Sequence, residues 1–279
     1  MVIFKHISDL QSYLKGYGKA GKSIGFVPTM GALHQGHLSL IELCKKQADL
    51  AVVSIFVNPL QFNDSNDFKK YPVNPERDIE LLIESKTDIL FLPSNEEIYP
   101  SNFENIIFNI GYLNEILEAK FRPGHFNGVY TVMKRLLDIV KPDLLFMGQK
   151  DFQQLMVVSK LIKDQNYPVE LITGPTIREE SGLAMSSRNQ RLSSEDLQKA
   201  ALLFEKLQFI KENTTRNSFA RLRETAIQNL QEAHFNVEYL ALANAHTLDL
   251  LDDFQTSSPM ILLIAAYIGP VRLIDNLLV

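Results

Sequence analysis

Two hydrophobic periods alternate along the first 175 residues. Ile7, Leu10, Leu14 and Tyr17 recur at helical spacing, and the short apolar run Ile24–Thr29 then reads as a strand. Helical spacing returns over His37–Gln47, with Leu40, Ile41, Cys44 and Ala48 on one face. Leu50–Val57 is a β-branched run, suited to a strand buried on both faces. Pro75–Ser85 reads as an amphipathic helix with proline at its start. Asp88–Leu92 reads as a strand, Val129–Val140 as a helix stopped before Pro142, and Asp143–Met147 as a strand. Phe152–Asp164 is helical again and Val169–Thr173 is a strand. Strands alternating with helices imply βαβ units and a parallel sheet, an α/β architecture.

The texture changes near Thr176. A polar stretch, IREESGLAMSSRNQRLSSED, leads into long helical patterns over Ser194–Glu212 and Ser218–His234. Three short strand patterns follow, at Val237–Ala243, Met260–Tyr267 and Val271–Asp275. Helices followed by strands predict a smaller α+β domain over 176–279, after a first domain over 1–175.

Composition narrows the function. The 279 residues are 46% hydrophobic and 22% charged, which suits a folded globular chain and excludes a disordered, collagenous or coiled-coil one. A net charge of −5 argues against a broad basic face for nucleic acid. Cys44 is the single cysteine, so no disulfide forms within the chain, which fits a reducing compartment. The N-terminus lacks the apolar run of a signal peptide. The longest apolar stretch, near Met260–Ile268, falls short of the ~20 residues of a membrane helix. The expectation is a cytoplasmic protein that engages neither membrane nor nucleic acid.

Two glycine motifs point the wrong way. Gly16-Tyr-Gly18-Lys-Ala-Gly21-Lys22-Ser23 matches both the phosphate-loop pattern and G-x-G-x-x-G. Both need a strand before the loop and a helix after it, so that backbone N–H groups meet a phosphate. Here a helical pattern precedes and a strand follows, and a turn is the expectation.

Three other segments carry the chemistry. Val27-Pro28-Thr29-Met30-Gly31-Ala32-Leu33-His34-Gln35-Gly36-His37 leaves a strand and enters a helix, the place for phosphate chemistry in a parallel sheet. His34 and His37, three positions apart, share a face of a helical turn and offer donors beside the helix N-terminus. The same histidines with Cys44 are also a zinc candidate, although Cys44 falls on the apolar face. Gly148-Gln149-Lys150-Asp151 marks a second strand-to-helix junction, where Lys150 supplies a point charge and Asp151 a helix cap or a ribose partner. Gly182-Leu183-Ala184-Met185-Ser186-Ser187-Arg188-Asn189 is a polar loop able to wrap a triphosphate, or a linker.

Together these residues closely resemble the pantothenate synthetase (pantoate–β-alanine ligase) family, part of the H-x-G-H nucleotidyltransferase superfamily that includes class I aminoacyl-tRNA synthetases. The strings VPTMGALHQGH, VVSIFVNPLQF, RPGHFNGV, DLLFMGQKDFQQL and GLAMSSRN carry the resemblance across essentially the whole chain. It implies a Rossmann-like ATP- and pantoate-binding domain of nucleotidyltransferase type, with the smaller domain closing over the nucleotide. The implied reaction joins (R)-pantoate to β-alanine through pantoyl adenylate, releasing pyrophosphate and AMP, with ATP as substrate, Mg²⁺ bridging phosphates, and a homodimer as the assembly. The resemblance assigns Met30, Gly31, Ala32, Leu33, His34, Gln35, Gly36, His37, Gly148, Gln149, Lys150, Asp151, Ile177, Met185, Ser186, Ser187 and Arg188 to ATP. Within that set, His37, His34, Lys150 and Arg188 are the catalytic group, His37 being the usual proton donor. Gln61 and Gln154 are assigned to pantoate, with Gln61 also bordering β-alanine, and Pro28, Met30 and Val129 are candidates for the wall against its dimethyl group.

The chain departs from the family pattern in three places. Gln149 stands where many members have Glu. No lysine in Ala184–Ser187 matches the KMSKS loop of the synthetases, so Arg188 carries that charge. Asp78 is a candidate beside Mg²⁺, with Arg77 next to it arguing otherwise, and the metal ligands stay open. Two other functions share the motifs: an adenylyltransferase that joins AMP to a phosphate monoester, and a nucleotide-binding regulator without turnover.

Overall fold

A computed structural model describes residues 1–63 and 65–279. The chain divides into two compact units, residues 1–148 with 157–175, and residues 149–156 with 176–279.

The first unit is built on a six-stranded parallel sheet: β1 (Val2–Phe4), β2 (Ile24–Thr29), β3 (Leu50–Ile55), β4 (Ile89–Phe91), β5 (Leu144–Gly148) and β6 (Glu170–Gly174). Their spatial order is β1-β4-β3-β2-β5-β6. The chain runs outward from β2 through β3 to β4, then returns to place β5 on the other side of β2. The order reverses at β2, and in open parallel sheets ligands bind beyond the carboxyl ends of strands at such a switch. All six residues of β3 are buried, as its β-branched sequence predicts for a strand covered on both faces. Val27, Ile41, Val53, Leu82, Leu90 and Phe146 pack together in this core. Burying each large apolar side chain contributes roughly 1.5–3 kcal/mol. Strand β1 had no predicted counterpart. It is three residues long on the sheet edge, and the apolar run Met1–Phe4 is too short on its own to mark a strand.

The second unit contains a four-stranded antiparallel sheet of order β10-β9-β7-β8, formed by β7 (Asn236–Asn244), β8 (Leu250–Leu251), β9 (Met260–Ile268) and β10 (Val271–Leu278). Helices Leu202–Glu212 and Phe219–Glu232 lay Leu207, Ile210, Leu222 and Leu230 against Leu240, Leu262 and Ile264 of the sheet. The pattern predicted as one helix over Ser194–Glu212 is split into Ser194–Ala200 and Leu202–Glu212 at Ala201, whose backbone stays helical. No helix among the described residues is long and apolar enough to cross a membrane.

The Gly16–Ser23 segment behaves as its context predicted. Gly16 and Gly18 lie inside the helix Ile7–Lys19, a turn follows, and β2 begins at Ile24.

Candidate active site

Beyond β2 the chain turns sharply. Thr29 Oγ1 donates to Ser54 O at 2.8 Å and accepts from Gly31 N at 3.2 Å, tying the strand end to β3. Gly31 (φ 77°) and Ala32 (φ 49°) then adopt left-handed backbone, which glycine tolerates and alanine does not favour. A Cβ at Gly31 would also meet Asp78 Oδ2 at 2.9 Å. The Asp78 carboxylate holds this turn: Oδ2 accepts from Ala32 N at 2.9 Å and Oδ1 from Leu33 N at 2.7 Å. Asp78 is 2% exposed, in the first turn of helix Pro75–Glu84. Two N–H donors and the positive end of that helix make a buried carboxylate tolerable.

The helix Gln35–Gln47 starts one turn later, and its cap is His34. His34 Nδ1 accepts from Gly36 N at 3.1 Å, and His37 Nδ1 accepts from His34 N at 3.3 Å. The rings pack 4.1 Å apart between centroids. An imidazole nitrogen that accepts from a backbone N–H carries no proton, so both neutral rings hold theirs on Nε2. The backbone thereby sets two Nε2–H donors beside a helix N-terminus, suited to phosphate oxygens. The zinc alternative fails on Cys44. Its thiol is buried in the core below Gly25, burial pushes its pKa up to about 12, and no metal-binding cluster of His, Cys, Asp or Glu occurs among the described residues.

Gln61 joins this region through Met30. Gln61 Nε2 donates to Met30 Sδ at 2.9 Å, from the short turn Pro59–Gln61 capped by Asn58. That turn is clamped by helix His125–Val140. Gly128 comes so close that a Cβ there would collide with Leu60 O, and His125 Nδ1 lies 2.7 Å from Gln61 O. Since a carbonyl only accepts, Nδ1 of His125 is the protonated nitrogen, and its Nε2 faces Arg122 Nη1 at 3.1 Å. Gly148 ends β5, the strand that pairs with β2 on one side and, at Gly148 itself, with Gly174 of β6 on the other.

The remaining candidates lie in the second unit. Gln149–Asp151 is a single 3₁₀ turn held by Asn276 of β10. Asn276 Nδ2 donates to Gln149 O at 3.0 Å and Lys150 O at 2.9 Å, while its Oδ1 accepts from Gln149 Nε2 at 3.1 Å. A glutamate at 149 would set a carboxylate against Asn276 Oδ1, so the glutamine found here matches its partner. Gln154 is half-buried in the first turn of helix Phe152–Asp164. Ile177 and Met185 face each other across a small hairpin, Met185 N donating to Ile177 O at 3.0 Å. Arg178 braces that hairpin through a bidentate pair with Asp275 at 2.6 and 2.9 Å, a bond to Gly182 O, and stacking on Phe204 at 3.6 Å. Ser186 caps the turn Ser187–Arg191 by accepting from Arg188 N at 3.3 Å, and Ser187 is buried.

Sequence reasoning missed Asn58, Tyr99, His125, Arg178, Asp275 and Asn276, and did not show that both Asp78 oxygens accept from main-chain N–H groups of the loop.

The sequence profile of the family described as pantoate-beta-alanine ligase matches residues 2–278. The pantothenate synthetase of Carboxydothermus hydrogenoformans is 44% identical over 99% of this chain and 98% of its own length. That of Caldicellulosiruptor bescii is 41% identical over 100% and 99%. The crystal structure of pantothenate synthetase from Thermus thermophilus superposes with a TM-score of 0.91 at 40% identity, covering 99% of each chain. The pantoate-beta-alanine ligase from Francisella tularensis, solved with beta-gamma ATP and beta-alanine, gives 0.82 at 38% identity, covering 100% of this chain and 97% of that one.

Proposed function

This chain belongs to the pantoate–β-alanine ligase family, and from that premise we propose how its residues divide the work. The enzyme condenses pantoate with β-alanine in an ATP-dependent reaction. In the first step the pantoate carboxylate attacks the α-phosphorus of ATP, giving pantoyl adenylate and pyrophosphate. The amine of β-alanine then attacks the acyl carbon, and pantothenate and AMP leave.

A carboxylate is ionised at pH 7, so the first step needs no general base. It needs in-line positioning and relief of charge on the phosphates. His34 and His37 supply Nε2–H donors, His37 as the proton donor, and Lys150, Ser186, Ser187 and Arg188 supply charge and further donors. Met30–His37 and Gly148–Asp151 line the nucleotide, with Asp151 toward the ribose. The main chain of Ile177 contacts adenine, and Met185 joins Ser186–Arg188 on the nucleotide. Gln61 and Gln154 hold pantoate, since a primary amide serves both carboxylate and hydroxyl. Mg²⁺ brought in with the nucleotide would supply charge neutralisation at the phosphates.

The observation that carries this reading is the bond joining Gln61 to Met30, which ties a pantoate residue to the histidine-bearing loop. The reading includes a homodimer in the cytoplasm; sedimentation at micromolar concentration checks the dimer.

The test is release of pyrophosphate and AMP from ATP–Mg²⁺, with pantoate alone and then with β-alanine. Bound adenylate and pyrophosphate on pantoate alone, followed by AMP and sustained turnover with β-alanine, supports the two-step ligase. Pyrophosphate without AMP under any amine points to an adenylyltransferase, and ATP binding without release points to a regulator.

A further inference from the structure

The hydrogen bonds behind Gln61 fix which end of its amide faces substrate. The chain of bonds begins at Tyr99, whose ring packs between Phe56 and Phe103 with centroids 5.9 and 4.8 Å away. Its hydroxyl donates to Asn58 Oδ1 at 2.8 Å. Burial holds this phenol well above its ordinary range, so at neutral pH it is always a donor.

Asn58, 1% exposed, has no freedom to flip. Leu60 N, which only donates, lies 3.2 Å from Asn58 Oδ1, and Gly128 O, which only accepts, lies 3.1 Å from Asn58 Nδ2. These two backbone groups identify the oxygen and nitrogen of this amide, and the Tyr99 hydroxyl, bonded to the same oxygen, adds the side-chain bond that holds the amide plane against Gln61. The Gln61 atom 3.0 Å from Asn58 Nδ2 is then its oxygen. That leaves Gln61 Nε2 on the opposite side, at Met30 Sδ. A thioether is a weak acceptor, readily exchanged for a stronger one.

We propose that Tyr99 is a positioning residue for pantoate: by holding Asn58 it keeps Gln61 with its amide N–H₂ outward, so that Gln61 donates there and takes only a ligand oxygen able to accept. Pantoate is recognised there by its carboxylate or by a hydroxyl lone pair, and a donor group at that point is refused. The inference rests on the assignment of Gln61 to pantoate and deepens it.

Tyr99→Phe keeps the ring between Phe56 and Phe103 and deletes only the donor. Steady-state kinetics in each substrate, with thermal melting alongside, read the effect. Losing one buried hydrogen bond predicts a rise of about five- to tenfold in the pantoate KM, with ATP KM within about twofold. In a Gln61→Ala background the same change should leave pantoate KM where it is, because the residue being oriented is gone. Gln61→Glu retains the acceptor for Asn58 but turns a second acceptor outward, and should weaken pantoate more than Gln61→Ala does. An unchanged pantoate KM in Tyr99→Phe, an equal rise for ATP, persistence of the effect without Gln61, or tolerance of Gln61→Glu would each overturn the proposal. Wild-type enzyme that does not consume pantoate would instead overturn the functional reading beneath it.

Discussion

Asp78 and Leu33 stand 45 residues apart and are joined by a hydrogen bond of 2.7 Å from main-chain N to carboxylate oxygen. With its companion at Ala32, that bond holds two consecutive left-handed residues in the turn that aims the histidines. Asp78→Asn keeps the size but sets an N–H₂ against one backbone N–H. It should lower stability by about 2 kcal/mol, the usual weight of a buried bond to a charged group. ATP-dependent kcat/KM should fall by more than the loss of folded protein accounts for. Urea unfolding with kinetics on the same sample measures both.

His37→Ala removes one of the two Nε2 donors. Deleting a preorganised donor to developing negative charge typically lowers kcat by roughly 10²–10³. His37→Gln restores a donor and should recover part of the rate. A full rate in His37→Ala would remove this residue from the chemistry.

For Gln154→Ala the expectation is selective. Pantoate KM should rise or kcat should fall strongly, while ATP affinity, read by nucleotide titration, stays nearly constant. Equal weakening of both substrates would give Gln154 a structural role.

Asn276 holds the turn that carries Lys150. Asn276→Ala leaves the lysine itself intact but frees its backbone, and kcat should drop at least about tenfold, since loosening a reactive group by an ångström is costly. Because Gln149 Nε2 donates to Asn276 Oδ1, Gln149→Glu should destabilise the wild type and should be better tolerated once Asn276 is removed. Melting temperatures across this double-mutant cycle decide the point.

The buried Cys44 makes stability depend on alkaline pH. Its ordinary pKa lies near about 8.5, and burial raises it to about 12 in the fold. The folded state then binds the proton more tightly than the unfolded chain does. Stability is intact below the unfolded value and declines as pH rises between the two. Cys44→Ala should flatten that decline, and in the native wild type a thiol reagent should react only as fast as the fold opens.

The strand-helix order, and the junctions at Met30 and Gly148, were legible because they repeat on a local scale: apolar runs, then helical spacing, then a proline or glycine break. The partners of those junctions were not. Asp78 reads locally as one acid in the acidic first turn of a helix, and nothing nearby shows that its carboxylate reaches back to Leu33. Asn276 falls just past the predicted strand Val271–Asp275, and nothing near it in sequence shows that its amide reaches Gln149 and Lys150. His34 and His37 were legible as a pair on one face, but not as a self-capping unit whose backbone bonds choose the tautomer. Tyr99 lay outside every motif, since its one functional atom touches an asparagine 41 residues away.

The pairing of β2 with β5 matches Gly25 to Leu144 across most of the first unit's length. Contacts so distant in sequence form late, because the entropy of closing the intervening loop must be overcome first. Strands β2, β3 and β4 close shorter loops and are expected to pair before β5 docks. On the proposed nucleotide site, which includes the end of β5, ATP added during refolding is then expected to bind only after that step. It should slow unfolding and leave the early folding phase unaltered.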